Sequence, residues 1–192
     1  MNTPMNNNAQ KTVPSDAQAV ADTVEWLEKA VIGLNLCPFA KAVHVKQQIR
    51  YQVSHATDAE GLLQELVSEL ELLAETAPEK IETTLLIHPQ ALTDFMDFND
   101  FLEVADAAVE ALQLDGILQV ASFHPDYQFD ETHADDIENF SNRSPWPTLH
   151  LIREASIDAA VEAFPDAADI YERNIETLQR LGHAGWKKLF TA

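Results

Sequence analysis

A chain of 192 residues, 46% apolar and 23% charged, is long enough to bury a core and has the composition of a folded domain. Twelve Lys and Arg stand against 32 Asp and Glu, a formal net charge of −20, and a field of that sign repels nucleic acid and anionic membrane surfaces. The single cysteine, Cys37, excludes an intramolecular disulfide and suits a reducing compartment, and no apolar run approaches the about 20 residues of a membrane-spanning helix.

Residues 1–15 are polar and Asn-rich and lack the apolar segment of a secretion signal. The expectation is a disordered tail over residues 1–15 and a single cytoplasmic domain over residues 16–192. Ser15 and Asp16 cap a helix whose apolar stripe is Val20, Val24, Leu27, Val31 and Leu34, ended by Pro38. From Val43 to Val53 apolar and polar residues alternate, which predicts a strand with one wet face. Thr57 and Asp58 cap a second helix with the stripe Leu62, Leu63, Leu66, Leu70 and Leu73. Thr83 to His88 is a short apolar strand stopped by Pro89. A third helix covers roughly residues 100–112, with Phe101, Val104, Ala105, Ala108 and Leu112 inward. Ile117 to His124 is nearly all apolar and predicts a central strand covered on both faces. Thr148 to Arg153 is a fourth strand. A short helix near Ile157–Ala163 follows, then a longer one near Ala168–Leu181 stopped by Gly182, and a last turn with Trp186, Lys187, Lys188 and Phe190.

The first three strands are separated by helices and should run parallel through right-handed crossovers; the fourth follows without a helix and returns antiparallel. The fold expected is an α/β sandwich with a four-stranded mixed sheet, and a ferredoxin-like arrangement is the alternative.

Between the third and fourth strands runs His124–His150, a segment with no helical or strand period. It holds three His, an Asn-Arg-Ser triplet, and prolines at 145 and 147. Connections that long in a domain are functional loops or disordered. Its acidic middle, Asp130 to Glu138, reads as a rim or lid. Two strands end alike, in Ile87-His88-Pro89 and Phe123-His124-Pro125, and parallel strands would place both imidazoles at the carboxyl edge, where open α/β sheets bind ligands. An antiparallel fourth strand starts at that edge and brings Asn142, Arg143 and Ser144 with it, with His150 one pleat deeper.

The expected site is therefore His88, His124, Asp126, Asn142, Arg143, Ser144 and His150. His88 and His124, with Asp126, have the chemistry to hold a divalent transition metal or to act as acid and base. Arg143 would hold an anionic group of a small-molecule ligand, and Asn142 would position it. Each residue also has a structural alternative: a histidine bonded to a backbone carbonyl, an arginine tying down its own loop. No compact zinc spacing such as HExxH or paired CxxC occurs. Cys37, after the first helix, is a separate candidate nucleophile or redox sensor. Hydrolysis or group transfer is the first functional expectation, a non-catalytic small-molecule or metal-binding module the second, and thiol chemistry at Cys37 the third.

Taken together, Leu36-Cys37-Pro38-Phe39-Ala40, His88-Pro89, Phe123-His124-Pro125 with Tyr127 and Phe129, Asn142-Arg143-Ser144-Pro145 with Pro147, Thr148-Leu149-His150-Leu151 and Arg153-Glu154 resemble the bacterial family known as domain of unknown function 1415. The resemblance runs from about Val24 to Leu189. It implies a small cytoplasmic protein and supports this choice of residues, but it brings no activity with it.

Overall fold

Ser15 opens the first helix, its hydroxyl accepting from the Gln18 N–H at 3.2 Å, and α1 runs over Asp16–Trp26. These coordinates are a computed structural model that describes residues 13–163 and 169–191. The tail expected over residues 1–15 therefore falls mostly outside the described residues, as does the helix start expected at Ala168. The buried face of α1 is Ala19, Thr23 and Trp26, with Val20 and Val24 at its flanks. The expected stripe was rotated because Thr23 hides its hydroxyl on the Ala19 carbonyl, 2.8 Å away, and so behaves as an apolar residue. Beyond Trp26 the helix widens into a π-helix, Leu27–Ile32.

The strand expected from Val43 begins later. Ala40–Val45 is a short helix, α2, which leaves Val45 71% exposed, and β1 covers only Ile49–Val53. Phe39, Ala40 and Val43 share one side of that turn, a helical spacing that the brief alternation concealed. Asp58 caps α3, Ala59–Glu75, as expected. Leu62, Leu66, Leu70 and Leu73 on it are fully buried, each contributing about 1.5–3 kcal/mol. β2 is Thr83–Ile87. The next helix, α4, spans Phe95–Ala111, starting five residues before the expected Asp100 because Asp94 accepts from the N–H groups of Met96 and Asp97. That adds Phe98 to the core and leaves Val104 42% exposed.

β3, Leu118–Phe123, and β4, Thr148–Arg153, complete a four-stranded sheet in the order β1-β2-β4-β3. β1 and β2 are parallel, and β4 is antiparallel to both β2 and β3, so the mixed sheet has the expected directions. β3 is an edge strand, not the central one its apolar run predicts. Between it and β4 the chain forms a 3-10 turn, Ile137–Asn142. The helices α5, Glu154–Ala163, and α6, Ile170–Phe190, close the chain, and α6 breaks at Gly182 (φ 64°) before resuming.

Register sorts side chains between two faces, because paired residues point the same way and neighbours alternate. Tyr51, Leu85, His150 and Ala121 lie in one row across one face. Leu86, Leu149 and Leu151 point to the other and pack under α3 and α4 in the main core. The row with His150 is roofed by Trp26, Leu27, Ala30 and Val31, with Trp186 and Phe190 of α6 beside them.

Candidate functional site

At the carboxyl edge the two imidazoles do converge. The His88 N–H donates to the Pro147 carbonyl at 2.9 Å, and the His124 N–H to the Asn142 carbonyl at 3.1 Å, so the segment that leads from the 3-10 turn into β4 holds both strand ends. The rings pack on one phenylalanine, Phe98, with centroids 5.5 Å (His88) and 5.1 Å (His124) away. Both residues are 0% exposed. His88 Nδ1 donates to the Ala91 carbonyl at 2.9 Å, and its Nε2 is sealed without a partner. His124 Nδ1 accepts from the Asp126 N–H at 3.0 Å, which leaves Nε2 as the donor to the Leu92 carbonyl at 3.3 Å. Burial pushes the His88 imidazole down to about 4, the carbonyl of Ala91 opposing and His124 reinforcing the shift. Burial lowers His124 as well, against the Leu92 carbonyl and the carboxylates of Asp126 and Asp94.

These bonds decide what the pair can do. A metal ligand must offer a lone pair, and His124 has none left; Asp126 meets His124 through its backbone while its side chain lies in solvent. The expected set of His88, His124 and Asp126 does not assemble. No group of three or more His, Cys, Asp or Glu side chains among the described residues is placed to hold a metal ion.

Arg143 ties down its own loop. Its Nε donates to the Tyr127 carbonyl at 3.1 Å and Nη2 to the Ala134 carbonyl at 2.6 Å, with the guanidinium 4.4 Å above the Phe140 ring. Burial lowers its pKa, and the carboxylates of Asp126 and Asp135 oppose the shift. Asn142 Nδ2 donates to the Ser122 carbonyl at 3.3 Å, and the Ser144 hydroxyl to the Trp146 carbonyl at 2.6 Å. Arg143 and Ser144 border a cleft of about 400 Å3 with Pro125, Trp26 and Trp186, but neither imidazole lines it. The long loop is a built structure. Asn139, fully buried, accepts from the Phe129 N–H and the Thr132 hydroxyl and donates to the His133 carbonyl. The acidic middle of the loop lies largely in solvent, as a rim does.

His150 belongs elsewhere. Its register partner is Leu85, so it points to the sheet face opposite His88 and His124, and the sheet divides the expected constellation. There it borders a chamber of about 220 Å3 between the sheet and the π-helix, α2 and α5. The walls are apolar apart from Glu82, Thr83, His150 and Ser156, and Cys37 is one of the lining residues. Cys37 thus shares a cavity with His150. The 35–40 segment doubles back under the π-helix, with the Leu36 N–H on the Val31 carbonyl at 2.9 Å. His150 Nε2 lies 2.8 Å from the Thr83 hydroxyl, and burial lowers its pKa to about 4.

The chamber is shaped by a feature without a periodic signal. The Gly33 N–H donates to the carbonyl of Glu28, five residues back, at 3.0 Å, and a Cβ on Gly33 would clash with the Lys29 carbonyl oxygen. Such π-turns are uncommon and recur at functional sites. Leu27 and Val31 read in the sequence as core stripe, and here, with Trp26, they are chamber wall. Thr83, Glu82 and Ser156 carried no signal at all, because their meeting depends on register and on the return of α5.

No curated protein and no solved structure matches the chain. The family described as "Protein of unknown function (DUF1415)" matches it over residues 18–188, from within α1 to the last turn of α6. With nearly its whole length covered, including the π-helix, the loop and all four strands, the chain belongs to that family.

Proposed function

We propose that this protein binds a compact, mainly apolar small molecule in the chamber between the sheet and the π-helix. The observation that carries this reading is a cavity of about 220 Å3 whose mainly apolar walls are broken by a few polar groups, His150 at mid-sheet among them. Small-molecule sites are concave, largely apolar, and oriented by a few polar groups. The test is saturable binding of naphthalene and 2-naphthol to the full chain, followed by ligand-observed NMR. Ala40→Phe and Ala160→Phe, which fill the chamber from two helices, should each weaken binding at least about ten-fold. Binding that survives both would move the ligand elsewhere. The hydrolase or group-transferase alternative rests on the convergence of His88 and His124. It would require His124 to give up both ring bonds, so the geometry favours binding.

A second reading, thiol chemistry at Cys37, is favoured by the shared lining of Cys37 and His150. Its measure is the rate of iodoacetamide labelling across pH, with and without naphthalene. Occupancy should slow the reaction severalfold. An unchanged rate would show that the thiol faces away from the bound molecule.

A further inference from the structure

We propose that the chamber selects an uncharged molecule of about two fused rings bearing one hydrogen-bond donor, a hydroxyl or ring N–H, given to Nδ1 of His150. The proposal rests on the chamber being a binding site and names the chemistry that it recognises.

Thr83 fixes the tautomer of His150. Its hydroxyl lies 2.6 Å from the Leu151 carbonyl oxygen and 2.8 Å from His150 Nε2. A carbonyl only accepts, so the single hydroxyl proton goes to Leu151. Nε2 must then be the donor to Thr83, and a neutral imidazole has only one N–H. Nδ1 is left as a lone pair. The ring is neutral at physiological pH because burial holds its pKa near 4. Nδ1 has no hydrogen bond among the described residues, and it is not one of the sealed polar atoms, as His88 Nε2 is. An accessible acceptor on an apolar wall favours a donor and disfavours another lone pair.

Charge and size narrow the class. No Lys or Arg among the described residues lines the chamber, and its one ionisable carboxylate, Glu82, already accepts from Ser156. An anion would enter without a counter-charge and lose its hydration. The anionic ligand that Arg143 suggested therefore does not suit this cavity. An apolar cavity of roughly 150 Å3 takes benzene, so about 220 Å3 suits a molecule one ring larger. Trp26, Phe39 and Phe123 on the walls offer flat contacts to such a ring.

Three probes of one size separate the possibilities at pH 7.5: 2-naphthol (donor), naphthalene (neither) and quinoline (acceptor). Affinities should fall in that order, with 2-naphthol at least about five-fold tighter than naphthalene. In His150→Leu, naphthalene should still bind and the advantage of 2-naphthol should vanish. In Thr83→Val the ring is free to take the other tautomer, and quinoline should gain on 2-naphthol. The imidazole 15N shifts should report the Nε2–H form in the wild type. Equal affinity for 2-naphthol and naphthalene, or a preference that outlives both substitutions, overturns the donor inference and leaves the binding site standing. Failure of all three probes to saturate overturns the site itself.

Discussion

His88 and His124 show how a polar residue becomes part of a core. Each follows a strand and lays its face on Phe98; His124 spends both ring nitrogens on backbone groups of Leu92 and Asp126, while His88 spends Nδ1 on Ala91 and buries Nε2 without a partner. The consequence appears on acidification. With the folded pKa of His88 near 4 and the unfolded value near 6.5, the unfolded chain takes up a proton first. Stability is therefore complete above pH 6.5 and falls as the pH drops from 6.5 to 4, by up to about 3 kcal/mol for His88, with His150 acting in the same direction. Urea melts at pH 7.5, 5.5 and 4.5 measure this, and His88→Asn, which keeps a donor for the Ala91 carbonyl, should flatten the slope. Asn139 is the comparable residue of the loop. Asn139→Ala removes three bonds and should cost about 2–4 kcal/mol of unfolding free energy. A loss under 0.5 kcal/mol would mean that the loop is held from elsewhere.

At the level of elements, the π-helix is the part most exposed to a single substitution. Gly33→Ala drives a methyl into the Lys29 carbonyl, and overpacking of this kind costs about 1–3 kcal/mol. The variant should melt earlier and bind chamber ligands more weakly, because relief requires rewinding the turn that carries Leu27 and Val31. The same region shows why the sequence was only partly readable. Capped, long helices such as α3 were legible from Asp58 and the Leu stripe, and strand directions followed from what lies between the strands. Ala40–Val45 was not, since six residues with two alternating valines satisfy a strand period and a helix turn alike. The apolar run of β3 suggested a central strand, but on the face it shares with His150 Phe123 instead meets Trp26, 5.1 Å away, at the sheet edge. The carboxyl-edge residues could be grouped because prolines mark where strands stop. His150 does lie on the Thr148 and Ile152 side of the fourth strand, but His88 and His124 come one residue after Ile87 and Phe123, and in a sheet one residue is a change of face.

The whole molecule carries a charge of −20 and little to balance it. Among the described residues the ion pair best shielded from water is Arg50–Glu69, at 2.7 Å, while Lys29–Glu25 lies in solvent. Self-repulsion should make the fold salt-stabilised. Raising sodium chloride from 20 mM to 500 mM should lift Tm, each about 1 kcal/mol gained appearing as about 2–4 °C. A fall in Tm would show that local ion pairs outweigh the net field. The sheet order has a further effect, on how the chain reaches this state. β4, last in sequence, sits between β2 and β3, and two of the three ladders run through it. Until Arg153 has been made, β3 has no strand to pair with and the two histidine-bearing ends have nothing to join them. A nascent chain ending before Thr148 should therefore stay open and protease-sensitive, and folding should proceed in one late, cooperative step set by long-range pairing.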